Sequence, residues 1–181
     1  MPLIILDRDG VINFDSDAYI KSPAEWHAIP ESLAAIARLN QAGYTVAIAT
    51  NQSGVGRGYY PLSTLDAIHK KMLDELVAVG GHIDMIAFCP HTPEDNCDCR
   101  KPKPGLLYQI ADAFQADLTQ TLVIGDAMRD LQAAHAANAR AALVLTGKGE
   151  KNLTQHQEAL TNVPVYKNLA AAVDAILRGE I

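Results

Sequence analysis

Two carboxylates stand two residues apart where an apolar run ends: Leu3-Ile4-Ile5-Leu6 leads directly into Asp7-Arg8-Asp9-Gly10. Side chains at i and i+2 of a strand share a face, so the spacing predicts that Asp7 and Asp9 point together while Arg8 points away. Neighbouring acids repel. A hard dication such as Mg²⁺ prefers carboxylate, carbonyl and water oxygens, and it relieves that repulsion while taking a phosphate as a further ligand. An Asp-Gly turn that merely closes a strand has the same local sequence, so support has to come from further along the chain.

It comes from two more places. Ala49-Thr50-Asn51-Gln52-Ser53-Gly54-Val55-Gly56-Arg57-Gly58 offers hydroxyl and amide donors and then a glycine-rich loop suited to cradling an anion on backbone N–H groups. The spacing is not G-x-G-x-x-G, so a dinucleotide site is not indicated. Val123-Ile124-Gly125-Asp126 ends another apolar run in an acid, with Asp130 one helical turn beyond. Asp126 is a third candidate magnesium ligand, although Asp in this position also serves as a helix N-cap. Capping alone does not account for Asp, Thr and Asp at the ends of three separate apolar runs.

A second metal signal is separate from the first. Cys89-Pro90-His91 and Cys97-Asp98-Cys99 place three thiols and one imidazole within eleven residues, the donor set of a closed tetrahedral zinc site. The spacing is not that of a zinc finger, and four protein ligands leave no open position, so the expected zinc is structural. It would pin the segment from Pro90 to Cys99, which has little apolar material to order it, just before Arg100 and Lys101. Lys103 is a competing phosphate ligand, but the flanking Pro102 and Pro104 suggest a helix approach with Lys103 solvated.

These residues need a scaffold, and the alternation of short apolar runs with helix-period segments predicts one. Candidate strands are 3–6, 44–49, 83–88, 121–124, 141–145 and, weakly, 163–166; candidate helices are 30–42, 62–79, 104–114, 128–138 and 168–177. Leu65, Ile68, Met72, Leu76 and Val79 make one apolar stripe; His69 and His82 read as surface or capping histidines without function, and Trp26 as a packing residue. The segment 147–162 is the loosest. Strand–helix alternation predicts an α/β, Rossmann-like fold, a mostly parallel sheet with helices on both faces and sites at the C-terminal strand ends. No linker or repeat divides residues 1–181, so one domain is expected.

Composition narrows the function. Of the 181 residues 49% are apolar and 20% charged, and the net charge of −6 offers no basic field for nucleic acid or an anionic membrane. No apolar run reaches the roughly 18 residues of a membrane span, and Asp7 comes too early for a signal peptide, so a cytoplasmic protein is expected. The odd cysteine count, all within Cys89 to Cys99, suits metal rather than disulfides and a reducing compartment.

In this order, D-x-D-G, a Thr after an apolar run, a loop Lys and G-D-x-x-x-D resemble the haloacid dehalogenase (HAD) superfamily, over nearly the whole chain. More narrowly, Asp7-Arg8-Asp9-Gly10-Val11-Ile12-Asn13, Thr50-Asn51-Gln52-Ser53-Gly54 and Cys97-Asp98-Cys99-Arg100-Lys101-Pro102 resemble the D-glycero-D-manno-heptose 1,7-bisphosphate phosphatases, with histidinol-phosphate phosphatases as close relatives. The resemblance implies Asp7 as nucleophile, Asp9 as general acid/base, and Thr50 and Lys101 as phosphoryl binders. It further implies Mg²⁺ on Asp7, Asp126 and the backbone carbonyl of Asp9, and a zinc loop on Cys89, His91, Cys97 and Cys99 in place of a large cap domain. Asn51, Gln52 and Ser53 join the substrate-binding set, and Arg100 and Arg57 are candidates for a second phosphate, since guanidinium offers paired donors. The implied activity is Mg²⁺-dependent removal of the C7 phosphate of a heptose 1,7-bisphosphate through an aspartyl-phosphate, in the supply of nucleotide-activated heptose for lipopolysaccharide. The expected partner is a small sugar bisphosphate, with no nucleic acid or membrane, and the expected state is a monomer. The alternatives are histidinol phosphate as substrate and, in another class, a non-catalytic zinc-stabilised phosphate-binding module.

Overall fold

The computed structural model describes residues 2–181. Six strands, β1 (Leu3–Leu6), β2 (Thr45–Asn51), β3 (Met85–Cys89), β4 (Leu122–Gly125), β5 (Arg140–Val144) and β6 (Val165–Tyr166), form one sheet in the order β3-β2-β1-β4-β5-β6. Every pairing is parallel; Leu3 to Leu6 sit opposite Thr45 to Ile48 on one side, and Ile4 to Leu6 opposite Leu122 to Ile124 on the other. The helices are α1 (Ser32–Gln41), α2 (Ser53–Gly56), α3 (Leu62–Ala78), α4 (Gly105–Phe114), α5 (Met128–Ala136), α6 (Gly149–Gln155) and α7 (Leu169–Leu177).

The strands read as continuous apolar runs because a parallel sheet is covered on both faces. Alternate side chains divide between two cores. Ile4, Leu6, Val46, Ile48, Ile124 and Val144 pack with α1, α3 and α7 through Ile36, Leu39, Ile68, Met72, Val173 and Ile176. Leu3, Ile5, Ala47, Ala49, Ala87 and Val123 face the other way onto α4 and α5 through Leu107, Ile110, Ala133 and Ala134. Each fully buried Ile or Leu contributes roughly 1.5–3 kcal/mol, so the central strands are firmly anchored on both faces. Trp26 is fully buried in the first core.

The chain runs outward from β1 through β2 to β3, then returns to the far side of β1 and runs outward from β4 through β5 to β6. The order therefore reverses between β1 and β4. At such a point the two connections diverge and open a crevice beyond the C-terminal strand ends. Asp7 follows β1 and Asp126 follows β4, so both acids lie at that crevice. No helix among the described residues is long and apolar enough to cross a membrane.

Candidate active site

Asp7, Asp126 and Asp130 converge, each offering an oxygen within 4.8 Å of the others, and all three are buried. Asp7 extends the ladder by donating its N–H to the Ile124 carbonyl at 3.0 Å, which fixes its position relative to β4. Its Oδ1 accepts from the Arg8 N–H at 2.8 Å and pairs with Lys101 Nζ at 3.0 Å. Lys101 Nζ also pairs with Asp130 Oδ1 at 2.7 Å and donates to the Ala49 carbonyl at 2.6 Å. The backbone of Lys101 is clamped by Asn51, whose amide donates to the Lys101 carbonyl and accepts from its N–H, each at 3.0 Å.

Three buried carboxylates around one ammonium are short of positive charge. Burial and the neighbouring Asp130 push Asp7 up to about 6, with Lys101 opposing, and burial and Asp7 push Asp126 up to about 8. Asp126 Oδ2 accepts from the Lys148 N–H at 2.8 Å, whereas its Oδ1 is buried without a partner. An orphaned carboxylate oxygen beside a second carboxylate fits a hard dication with oxygen ligands. Gly10 and Gly147, both at positive φ, pack so close to Asp126 that a Cβ on either would strike its Oδ2. Glycine at these two positions lets the backbone form the wall of the carboxylate pocket.

Asp9 takes a different place from the one its spacing predicts. The strand ends at Leu6, and the N–H groups of Val11, Ile12 and Asn13 all return to the Arg8 carbonyl, so the two-residue periodicity is lost. Arg8 does not point away but curls beside Asp9, donating from Nε at 3.1 Å and Nη2 at 2.9 Å. Asn13 Nδ2 and Gln52 Nε2 add donors at 2.9 Å each. Burial disfavours the Asp9 carboxylate, but Arg8, Asn13 and Gln52 outweigh it and hold the group below its usual range. The carboxylates that converge are thus those of Asp7, Asp126 and Asp130, and the Asp9 carboxylate, expected beside that of Asp7, belongs to a separate hydrogen-bonded network.

That network reaches further. Arg8 is fully buried, and its Nη1 lies 3.1 Å from His69 Nε2. Guanidinium can only donate, so His69 Nε2 is the acceptor and the ring proton sits on Nδ1. Burial, reinforced by Arg8, lowers His69 to about 4. His69 is therefore neither a surface nor a capping residue: its helical stripe turns it inward, where Arg8 needs an acceptor.

The cavity above these groups has a volume of ≈ 170 Å³, lined by Asp9, Asn51, Gln52 and Ser53 on one side and by Arg100, Arg129 and Lys148 elsewhere. A wider groove of ≈ 470 Å³ between α5 and residues 159–163 has no side chain of fixed charge and offers nothing to a phosphate. Thr50 is buried beside the cavity and accepts from Gln52 Nε2 at 2.9 Å. The glycine-rich stretch does not form the anticipated cradle. It winds into α2 and a turn, where the N–H groups from Val55 to Gly58 go to Gln52, Pro90, Ser53 and Val55 carbonyls. Arg57 ends that turn exposed to solvent and does not line the cavity.

Beyond β3 the three cysteines and His91 close on one point. Cys89 Sγ lies 3.6 Å from Cys97 Sγ and 3.5 Å from His91 Nδ1, and Cys99 Sγ lies 3.6 Å from Cys97 Sγ and 3.3 Å from His91 Nδ1. A disulfide would need about 2.05 Å. A tetrahedron with 2.3 Å metal–sulfur bonds has sulfur–sulfur edges of about 3.8 Å, so the spacing fits zinc. Arg100 Nη1 donates to the His91 carbonyl at 3.3 Å, and Lys103 Nζ to the Cys97 carbonyl at 2.7 Å, so the loop holds both cations.

Comparison with known proteins gives the family of the chain. Residues 98–172 match the HAD-hydrolase-like family. The chain is 50% identical to the D-glycero-β-D-manno-heptose-1,7-bisphosphate 7-phosphatase of Pseudomonas aeruginosa over 97% of this chain and 98% of that protein. It is 56% identical to that of Pseudomonas putida over 94% and 97%. The chain belongs to this phosphatase family. A crystal structure of the D,D-heptose 1,7-bisphosphate phosphatase of Bordetella bronchiseptica, complexed with magnesium and phosphate, superposes with a TM-score of 0.95 at 51% identity, covering 99% of each chain.

Within the phosphatase framework, the structure brings together Asp7, Asp126 and Lys101, with Asn51 clamping the Lys101 backbone, and it places Asp9, Asn51, Gln52, Ser53 and Arg100 around the cavity with Thr50 behind Gln52. Sequence reasoning gave no role to Arg129, Lys148 or His69. Arg129 and Asp130 share the first turn of α5 directly after Gly125-Asp126, and that proximity was the only available signal.

Proposed function

We propose that this chain is a magnesium-dependent phosphatase that removes the C7 phosphate of D-glycero-β-D-manno-heptose 1,7-bisphosphate, in the formation of nucleotide-activated heptose for lipopolysaccharide. The observation that carries this reading is the convergence of Asp7, Asp126 and Lys101 at the point where strand order reverses, in a chain matched nearly end to end by heptose bisphosphate phosphatases.

Asp7 is the nucleophile: its carboxylate oxygen bonds to phosphorus as the bond from phosphorus to the sugar oxygen breaks, leaving an aspartyl-phosphate. Asp9 gives a proton to the departing oxygen and then takes one from the water that splits the acyl phosphate, releasing inorganic phosphate. The donors around Asp9 favour its ionised form, which suits the second step; an arriving phosphate dianion raises its proton affinity for the first. Lys101 and Thr50 hold the phosphoryl oxygens, and Asn51 keeps Lys101 in place. Asp7, Asp126 and the Asp9 carbonyl would hold Mg²⁺, which when bound would supply the positive charge that offsets the phosphoryl group.

Cys89, His91, Cys97 and Cys99 would hold a structural zinc that orders their loop, and Arg100, donating to the His91 carbonyl and lining the cavity, receives the phosphate that stays on the sugar. The same reading takes residues 1–181 as one domain, monomeric and cytoplasmic, acting on a small molecule rather than on nucleic acid or membrane. Sustained support is one sheet with cores on both faces, a net charge of −6 and thiols suited to a reducing compartment. The test is phosphate release from the heptose bisphosphate and from histidinol phosphate at equal concentration, with and without Mg²⁺. One equivalent of phosphate from the bisphosphate, dependent on Mg²⁺ and faster than from histidinol phosphate, is expected. Preference for histidinol phosphate overturns the substrate, and no turnover of any phosphoester overturns the enzyme.

A further inference from the structure

Arg129 lies in the first turn of α5, and its side chain lines the same cavity as Asp9, Asn51 and Arg100. Its Nε is buried without a hydrogen-bond partner. The other cations here are matched: Lys101 by Asp7 and Asp130, Arg8 by Asp9 and His69, Lys148 by Asp15 at 3.4 Å, and Arg100 by the His91 carbonyl. Arg129 forms no ion pair among the described residues, although it lies in the field of four acids. Burial works against its charge, and Asp7, Asp130, Asp126 and Asp15 outweigh it and keep the guanidinium firmly protonated.

A buried donor left unpaired is costly, and a guanidinium carries five in a rigid fork whose natural complement is a pair of phosphate oxygens. Were Arg129 there only to neutralise the acids, direct contact would do so better than the ion-pair-free placement it has. An incoming phosphate, by contrast, meets a cation whose donors no protein group holds. We propose that Arg129 donates to a phosphate oxygen of the bound substrate. The inference rests on the phosphatase reading above and adds a substrate-binding residue to it. The two phosphates of a bisphosphate share the same chemistry, and their contributions separate by experiment.

Arg129→Met and Arg129→Lys would be compared with wild type at saturating Mg²⁺ on the heptose bisphosphate and on p-nitrophenyl phosphate, with inorganic phosphate as inhibitor and thermal melting as a check on folding. Loss of a charge-assisted contact lowers kcat/KM roughly 10- to 100-fold in Arg129→Met, with partial recovery in Arg129→Lys. If the group held is the transferred phosphate, both esters suffer and inhibition by inorganic phosphate weakens. If it is the retained one, only the bisphosphate suffers and phosphate inhibition stays as in wild type. Unchanged kcat/KM on both esters overturns the proposal, as does a loss that extra Mg²⁺ erases, which would make Arg129 a charge partner of the metal carboxylates. Should Arg129→Met fail to fold, Arg129→Lys is decided by the same criteria. If wild type itself ignores the heptose bisphosphate, the substrate reading fails, while p-nitrophenyl phosphate and phosphate inhibition still decide Arg129.

Discussion

Replacing His69 with Gln should remove about 2 kcal/mol of the stability that the protein loses between about pH 7.5 and pH 5. Burial and then Arg8 depress the His69 pKa from 6.5 to about 4, so the native ring stays neutral across this interval. The unfolded chain, however, takes up a proton there once the pH drops below 6.5. The unfolded state then binds more protons than the native one, and the native state loses ground as pH falls, down to about 4 where both are protonated. At pH 5, about 1.5 pH units below the unfolded value, the penalty is about 2 kcal/mol at about 1.4 kcal/mol per unit. Gln retains an acceptor for Arg8 Nη1, now 3.1 Å from the imidazole, and does not titrate. Urea unfolding of both proteins at pH 7.5, 6 and 5 measures the difference directly. Asp7 and Asp126, raised by burial, act in the opposite direction but are present in both proteins and cancel. A gap between the two proteins that stays constant with pH to within about 0.5 kcal/mol would show that native His69 accepts protons freely, refuting the buried Arg8–His69 contact.

Other outcomes follow from the site itself. Asp7→Asn should leave the fold and thermal melting close to wild type but abolish turnover, and near-normal phosphate release by that variant would remove Asp7 as the nucleophile. Gly10→Ala should drive its methyl into Asp126 from a left-handed backbone position, lowering Mg²⁺ affinity and turnover by at least about tenfold; Mg²⁺ titration of activity checks it, and wild-type affinity would contradict the packing. Zinc should bind at one equivalent per chain by metal analysis, and its removal should raise KM through Arg100 while the residual reaction keeps its Mg²⁺ dependence. Because burial pushes the Cys89 thiol up to about 12 and the metal requires thiolate, zinc affinity should rise with pH; competition with a chelator at pH 6 and 8 measures this.

Much of this was legible in the sequence where one local rule dominates. Apolar runs gave all six strands and the long helices to within about two residues, as at 62–79 against Leu62–Ala78, because burial on both faces leaves little choice. The convergence of Cys89, His91, Cys97 and Cys99 was legible because the chemistry of a metal cluster is carried by residue type and spacing. The separation of the Asp9 carboxylate from the cluster of Asp7, Asp126 and Asp130 was not, since it depends on the chain turning at Arg8 rather than continuing as strand. Residues 147–162 looked irregular, yet Gly149–Gln155 is α6, which forms in a polar stretch whose Asn152 donates to the Lys148 carbonyl and accepts from the Met128 N–H. His69 and Arg129 were invisible because each is defined by a partner, or by the lack of one, distant in sequence.

The loop carrying Cys89, His91, Cys97 and Cys99 begins at the last residue of β3, the outermost strand on its side of the sheet. Met85-Ile86-Ala87-Phe88-Cys89 is short, apolar and uncharged, and its outer rim has no strand beside it. The Cys89 carbonyl accepts from the Gln52 N–H at 2.7 Å and the Pro90 carbonyl from Gly56 at 2.9 Å, so the tether that pins this strand end also ties it to the loop following β2. Were these four residues to hold zinc, its loss would loosen this apolar margin and leave it open to strand addition from another copy. A metal held by the four ligands would then guard solubility as well as organise the pocket.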